Sequence, residues 1–228
     1  MTLDFELVDP KHTSLLVIDP QVDLCMEYLP NGEKTPLAKM SDAVGLTPPA
    51  YDYTLYHEVI TKLQPLLQTA RSAGVMIIYT KASQLLSASS PWGKRSLAKM
   101  YRVEGLNIDI PTSVVEGTPG YEFVEEIKPQ NGDVVLNKIR NSAFIGTPIE
   151  LVLKNNGIQT LILSGCQTDG CVESTLRDAA YSHDYLCFIV EDCVGSFNVE
   201  MHQAQMKVMK RRFDVIQSEE LIQMWHSK

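Results

Sequence analysis

Short apolar runs alternate with amphipathic stretches along the 228 residues. Residues 14–18 (SLLVI) are a continuous branched run closed by Asp19-Pro20, the length and composition of a buried strand. From 55 to 73, Leu55, Val59, Leu63, Leu66, Leu67 and Ala70 recur at helical spacing, and Gly74 supplies a stop. Pro65 falls inside that pattern and predicts a kink or a second helix start. Residues 75–80 (VMIIYT) read as a second strand, and the turn Asn131-Gly132-Asp133 leads into a third at 134–137. A helix follows over 148–156, with Thr147 as N-cap and Gly157 as stop. The remaining pattern gives a strand at 161–164, a helix at 172–182, a strand at 186–190, a helix at 199–211, a strand at 214–216 and a helix at 218–225.

Strands and helices alternating at this spacing predict βαβ units. The expected fold is α/β: a three-layer αβα sandwich around a mainly parallel, doubly wound, Rossmann-like sheet. No internal repeat or linker interrupts it, so residues 1–228 read as one domain. Two stretches break the alternation, 24–53 and 82–117, both rich in Pro, Gly, Ser and Thr. Each follows a strand and emerges on the edge where open α/β sheets bind ligands, either covering a site or decorating the surface.

Composition narrows the classes. The chain carries 20 basic and 28 acidic side chains, a formal charge of −8, which argues against a nucleic-acid partner. No apolar run approaches the ~20 residues of a membrane span, and residues 1–10 lack the pattern of a signal peptide. Five cysteines, Cys25, Cys166, Cys171, Cys187 and Cys193, are odd in number and show no compact CxxC pair. They argue against a disulfide framework and for a cytoplasmic protein with a free thiol.

Chemistry-bearing residues stand at the strand ends. The first strand ends in Asp19, the third in Lys138, and the fourth runs into Ser164-Gly165-Cys166-Gln167-Thr168-Asp169-Gly170-Cys171. Parallel strands put these ends on one edge, so a carboxylate, an ammonium and a thiol can share one crevice. Cys171 opens a predicted helix, where the helix dipole and a neighbouring lysine are expected to depress its pKa. The N–H groups of Gln167 and Cys171 are placed to receive an oxyanion. Singly, each residue also has a plain reading: a buried small Cys171, a turn-forming Asp19, a solvated Lys138.

Three segments carry a resemblance: LVIDPQVD at 16–23, NKIRNSAF at 137–144, and SGCQTDGCVESTLRDA at 164–179. Together they resemble the signatures of the isochorismatase-like cysteine hydrolases, and the third looks closest to the ureidoacrylate, biuret and N-carbamoylsarcosine amidohydrolase branch. The resemblance implies a triad of Asp19, Lys138 and Cys171, a cis peptide at Cys166–Gln167, and a homodimer or homotetramer. The implied activity is cleavage of a C–N bond in a small amide or ureido substrate, through a thioester, with no cofactor. The family's metal-binding branch carries Asp and His after the second strand, whereas residues 80–91 contain neither, so no metal is expected. Substrate contacts are assigned to Gln21, Phe144, Arg140 and Trp92; Gln21 equally suits loop bracing and Phe144 core packing. Lys94, Arg95 and Arg102 are further cations for a substrate carboxylate. Cys166 and Cys171 as a redox pair, and any special role for the other cysteines, are disfavoured. Two other readings stand beside the amidohydrolase: a catalytically silent binding or assembly member, and a vinyl-ether hydrolase of isochorismatase type.

Overall fold

The computed structural model describes residues 4–43, 52–83 and 113–226. Six strands form one sheet in the order β3-β2-β1-β4-β5-β6, every neighbouring pair parallel. They are β1 (Thr13–Ile18), β2 (Met76–Ala82), β3 (Val134–Lys138), β4 (Thr160–Cys166), β5 (Leu186–Gly195) and β6 (Asp214–Ile216). The order reverses between β1 and β4, so the chain winds outward in both directions from the centre of the sheet. β1 lies at that centre, and all six of its residues are buried. A strand covered on both faces has no polar side to present, which is why SLLVI shows no alternation.

The two faces are read from β1 itself. Leu15 and Val17 join a core with Tyr56, Leu63, Leu66 and Leu67 of α3 (Thr54–Ala73) and with Leu221 and Trp225 of α7 (Ser218–His226). Leu16 and Ile18 join the opposite core with Ile149 and Leu153 of α4 (Ile149–Asn155), with Leu176 of α5 (Glu173–Arg177), and with Met206 and Met209 of α6 (Val199–Lys210). The expected αβα sandwich is present, and the sheet is wholly rather than mainly parallel. Each fully buried leucine or isoleucine contributes about 1.5–3 kcal/mol, so the central strand is anchored from both sides.

Several boundaries differ from the sequence pattern. α3 runs through Pro65 as one helix, so of the two expected outcomes the second start does not occur. Pro65 lies on the solvent-facing side, where water can serve the Thr61 carbonyl that lost its N–H donor. α4 starts at Ile149, one residue later than expected. Pro148 takes the cap position, while Thr147 Oγ1 still accepts from the Ile149 N–H at 3.2 Å. The helix around α5 begins four residues early: π-helical turns at Thr168–Val172 and Asp178–Ser182 flank it. The 24–53 stretch holds an element that the pattern missed, α2 (Pro36–Ala43), preceded by the single-turn α1 (Val22–Cys25). Residues 84–112, with Trp92, Lys94, Arg95 and Arg102, lie outside the described residues.

Candidate active site

Register brings the strand ends together. Ile18 pairs with Gly165 across β1 and β4, Val17 with Tyr79 across β1 and β2, and Ala82 with Lys138 across β2 and β3. Asp19 therefore emerges beside both Thr80 and Cys166. Gly165 makes that approach possible. It sits at φ +100°, and a Cβ there would lie 2.2 Å from the Ile18 carbonyl oxygen. Asp19 itself turns into the left-handed region at φ 49°, which aspartate tolerates better than most residues.

Asp19, Lys138 and Cys171 meet as the strand ends predicted. Lys138 Nζ lies 2.7 Å from Asp19 Oδ2, with both side chains essentially inaccessible. The same ammonium donates to Cys171 Sγ at 3.1 Å and to the Arg140 carbonyl at 3.0 Å. Thr80 Oγ1 donates to Asp19 Oδ1 at 2.6 Å and accepts from the Asp19 N–H at 3.1 Å. Asp19 Oδ2, the oxygen 2.7 Å from the lysine, receives no aligned hydrogen bond. The Cys166 S–H donates to the Asp19 carbonyl at 2.9 Å.

The electrostatics reverse one sequence expectation. Desolvation pushes the Cys171 thiol up to about 12; the Lys138 charge opposes this and the Asp19 charge adds to it. The lysine's field is shared with a carboxylate at 2.7 Å, so it does not produce the depressed pKa that helix and lysine alone suggest. Cys171 also lies inside the first π-helical turn rather than ahead of the helix. Burial works against the Lys138 ammonium, but Asp19 and Cys171 outweigh it and hold that group above the ordinary lysine range. The thiol and the ammonium thus both hold their protons at neutral pH.

The turn that carries Cys171 is closed on itself. The peptide between Cys166 and Gln167 is cis, at the bond the resemblance indicated. The Gly170 and Val172 amides, on either side of Cys171, both donate to the Gln167 carbonyl, at 3.0 and 3.1 Å. Buried Thr168 shares a 2.9 Å hydrogen bond with His202 Nδ1 of α6 and ties the turn to a neighbouring helix. Neither Thr168 nor His202 was singled out from the sequence. Thr80 was also missed, although it ends a strand beside β1 and pairing alone would have placed it next to Asp19.

The proposed substrate contacts fare unevenly. Gln21 is buried, and its amide is occupied by main chain: Nε2 donates to Ala82 O and Tyr121 O, and Oε1 accepts from the Ala82 N–H. That is loop bracing. The Phe144 ring stacks on His183, 4.5 Å between centroids, with Tyr185 behind it. The exposed Arg140 side chain donates to the neighbouring Ile139 carbonyl, and its own carbonyl holds the lysine. Trp92 lies outside the described residues. Among the described residues no three His, Cys, Asp or Glu side chains gather as a metal site, and no helix is long and apolar enough to cross a membrane.

A doubly wound parallel sheet with this cluster at its switch point defines a class. The isochorismatase domain model matches residues 13–220, and the chain belongs to the isochorismatase family of hydrolases. Among its relatives is the ureidoacrylate amidohydrolase RutB of Caulobacter segnis, 32% identical over 204 residues, covering 86% of this chain and 77% of that protein. A cysteine hydrolase from Pseudomonas syringae shares the fold at a TM-score of 0.71 and 20% identity, over 100% of this chain and 96% of that one. N-carbamoylsarcosine amidase from Thermoplasma acidophilum does so at 0.61 and 24%, over 91% and 96%.

Proposed function

We propose that the protein is a cysteine-dependent amidohydrolase that cleaves a C–N bond of a small ureido or carbamoyl amide, of biuret or ureidoacrylate type, and releases ammonia. The observation that carries this reading is the contact of a thiol, a buried ammonium and a buried carboxylate at the strand ends. Identity of 32% with a ureidoacrylate amidohydrolase supports the choice of substrate class.

Because the resting thiol is protonated, the reaction begins with a proton transfer. Asp19 Oδ2 takes the Cys171 proton as sulfur attacks the substrate carbonyl. Lys138, hydrogen-bonded to the sulfur and paired with Asp19, stabilises the negative charge wherever it resides during that transfer. The N–H groups of Gln167 and Cys171 receive the oxyanion; the Cys171 amide precedes the first i→i−5 bond of its π-helical turn. Asp19 then gives the proton to the departing nitrogen, ammonia leaves, and a thioester remains. Water attacks that thioester with Asp19 again as base, which frees the acid product and restores the thiol. No step draws on a cofactor.

An ammonia-release screen over biuret, triuret, ureidoacrylate, N-carbamoyl amino acids and simple amides tests this, with Cys171→Ala as the blank. Release from at least one ureido or carbamoyl compound, absent in the blank, is expected. Undiminished turnover by Cys171→Ala overturns the proposal, and silence across the whole panel favours the binding-module reading.

A further inference from the structure

The mechanism leaves a second pair of thiols unused, directly beneath the site. Cys25 Sγ and Cys166 Sγ are 3.3 Å apart, with the residues 4% and 1% exposed. That separation is already a sulfur–sulfur contact; a bond requires closing to ~2.05 Å, a shift within the reach of two side chains. The other two buried cysteines are placed differently: the Cys187 thiol donates to the Tyr185 carbonyl at 3.4 Å, and Cys193 sits near Ser218. A third group is buried in the same core. The Tyr56 hydroxyl, on a residue 1% exposed, has no hydrogen-bond partner. It is an O–H donor with nothing to donate to in the reduced protein.

The geometry points to Cys25 and Cys166 as a dithiol modification site that a hydroperoxide converts to a disulfide, switching the neighbouring site off. Burial holds the Cys166 thiol well above its ordinary range, so the attacking sulfur loses its proton in the same step in which it attacks the peroxide O–O bond. It becomes a sulfenic acid, and hydroxide leaves and takes up the thiol's proton as water. In the second step the other sulfur displaces that oxygen as a second water, forming the S–S bond. Two thiols and one hydroperoxide, H2O2, thus give one disulfide and two waters.

The functional consequence follows from what Cys166 holds. Its S–H donates to the Asp19 carbonyl, and its own carbonyl group forms the peptide bond to Gln167. A disulfide has no proton to donate, so Asp19 loses that hydrogen bond. Cys166 is also drawn toward the α1 turn that carries Cys25.

The effect on turnover rests on the amidohydrolase reading; the disulfide does not, and the experiment separates them. Cys171→Ala protein is treated with hydrogen peroxide, denatured in N-ethylmaleimide, digested and mapped by mass spectrometry. A Cys25–Cys166 cross-linked peptide, abolished by dithiothreitol, is expected, with Cys187 and Cys193 recovered as maleimide adducts. Recovery of Cys25 and Cys166 as adducts overturns the site whatever the enzyme's activity. In parallel, peroxide-treated wild type should lose at least tenfold in ammonia release and regain it with dithiothreitol. Cys25→Ala should show no dithiothreitol-recoverable loss. A cross-link that leaves turnover unchanged overturns the switch.

Discussion

Asp19 and Lys138 act in opposite directions on the Cys171 thiol, and this sets what single substitutions do. The carboxylate raises the thiol's pKa and the ammonium lowers it. Asp19→Asn removes the raising charge and leaves the lysine facing sulfur alone, so the thiol should ionise at lower pH than in wild type. Under the proposed mechanism the same change removes the base, and ammonia release should fall by about 10²-fold or more. Thiolate absorbance titrated against pH, read beside turnover, checks both; a variant with an unshifted thiol contradicts this account of the field. In wild type, a thiol near 12 leaves a thiolate fraction of about 10⁻⁴ at pH 8. Iodoacetamide labelling of Cys171 should therefore climb about tenfold per pH unit up to at least pH 10. A plateau near neutrality refutes that. Thr80→Val keeps shape but leaves Asp19 Oδ1 without its 2.6 Å donor, an unpaired buried acceptor worth ~1–3 kcal/mol. Turnover should drop roughly tenfold, and Thr80→Ser should restore it.

At the level of elements, the close passage of β4 over the end of β1 is the most sensitive feature. Gly165→Ala would combine φ +100° with a Cβ 2.2 Å from Ile18 O, a clash with backbone that no side-chain motion relieves. We expect a loss of about 3 kcal/mol or more and a melting temperature lower by roughly 6 °C or more, measured by calorimetry. The strands were legible because apolar runs bounded by Asp-Pro, Gly and Asn-Gly-Asp leave few alternatives. At Pro65 the α3 pattern left a second start open, and none occurs: the helix is continuous there, with the proline on the solvent-facing side. α2 was missed because eight residues of mixed composition, PLAKMSDA, carry too little periodicity to stand out from a Pro- and Ser-rich stretch. The early start of the Cys171 helix was hidden for a related reason: a π-helical turn has no signature in a pattern scanned for a 3.6-residue period.

For the whole molecule, the meeting of Asp19, Lys138 and Cys171 was legible because parallel strands share one edge. Their electrostatics were not. Desolvation depends on how much chain closes over the cluster, and no count of charges reports that. Gln21 and Phe144 show the same limit, since hydrogen bonds to Ala82 and Tyr121, or a ring on His183, are set by register and helix length. The homodimer or homotetramer implied by the resemblance should appear in light scattering as two or four protomer masses; a single protomer mass contradicts it.

The strand order has a kinetic corollary. Asp19, Thr80, Lys138 and Cys171 are contributed by four strands, and the β1–β4 pairing that completes the cluster spans about 150 residues of chain. Contacts between such distant segments form slowly, because each closes a long loop before any favourable contact is gained. During synthesis the carboxylate and the ammonium exist before the thiol does. The cluster of carboxylate, ammonium and thiol therefore arises only once β4 has docked beside β1, late in the maturation of the chain, and partly folded forms do not carry it assembled.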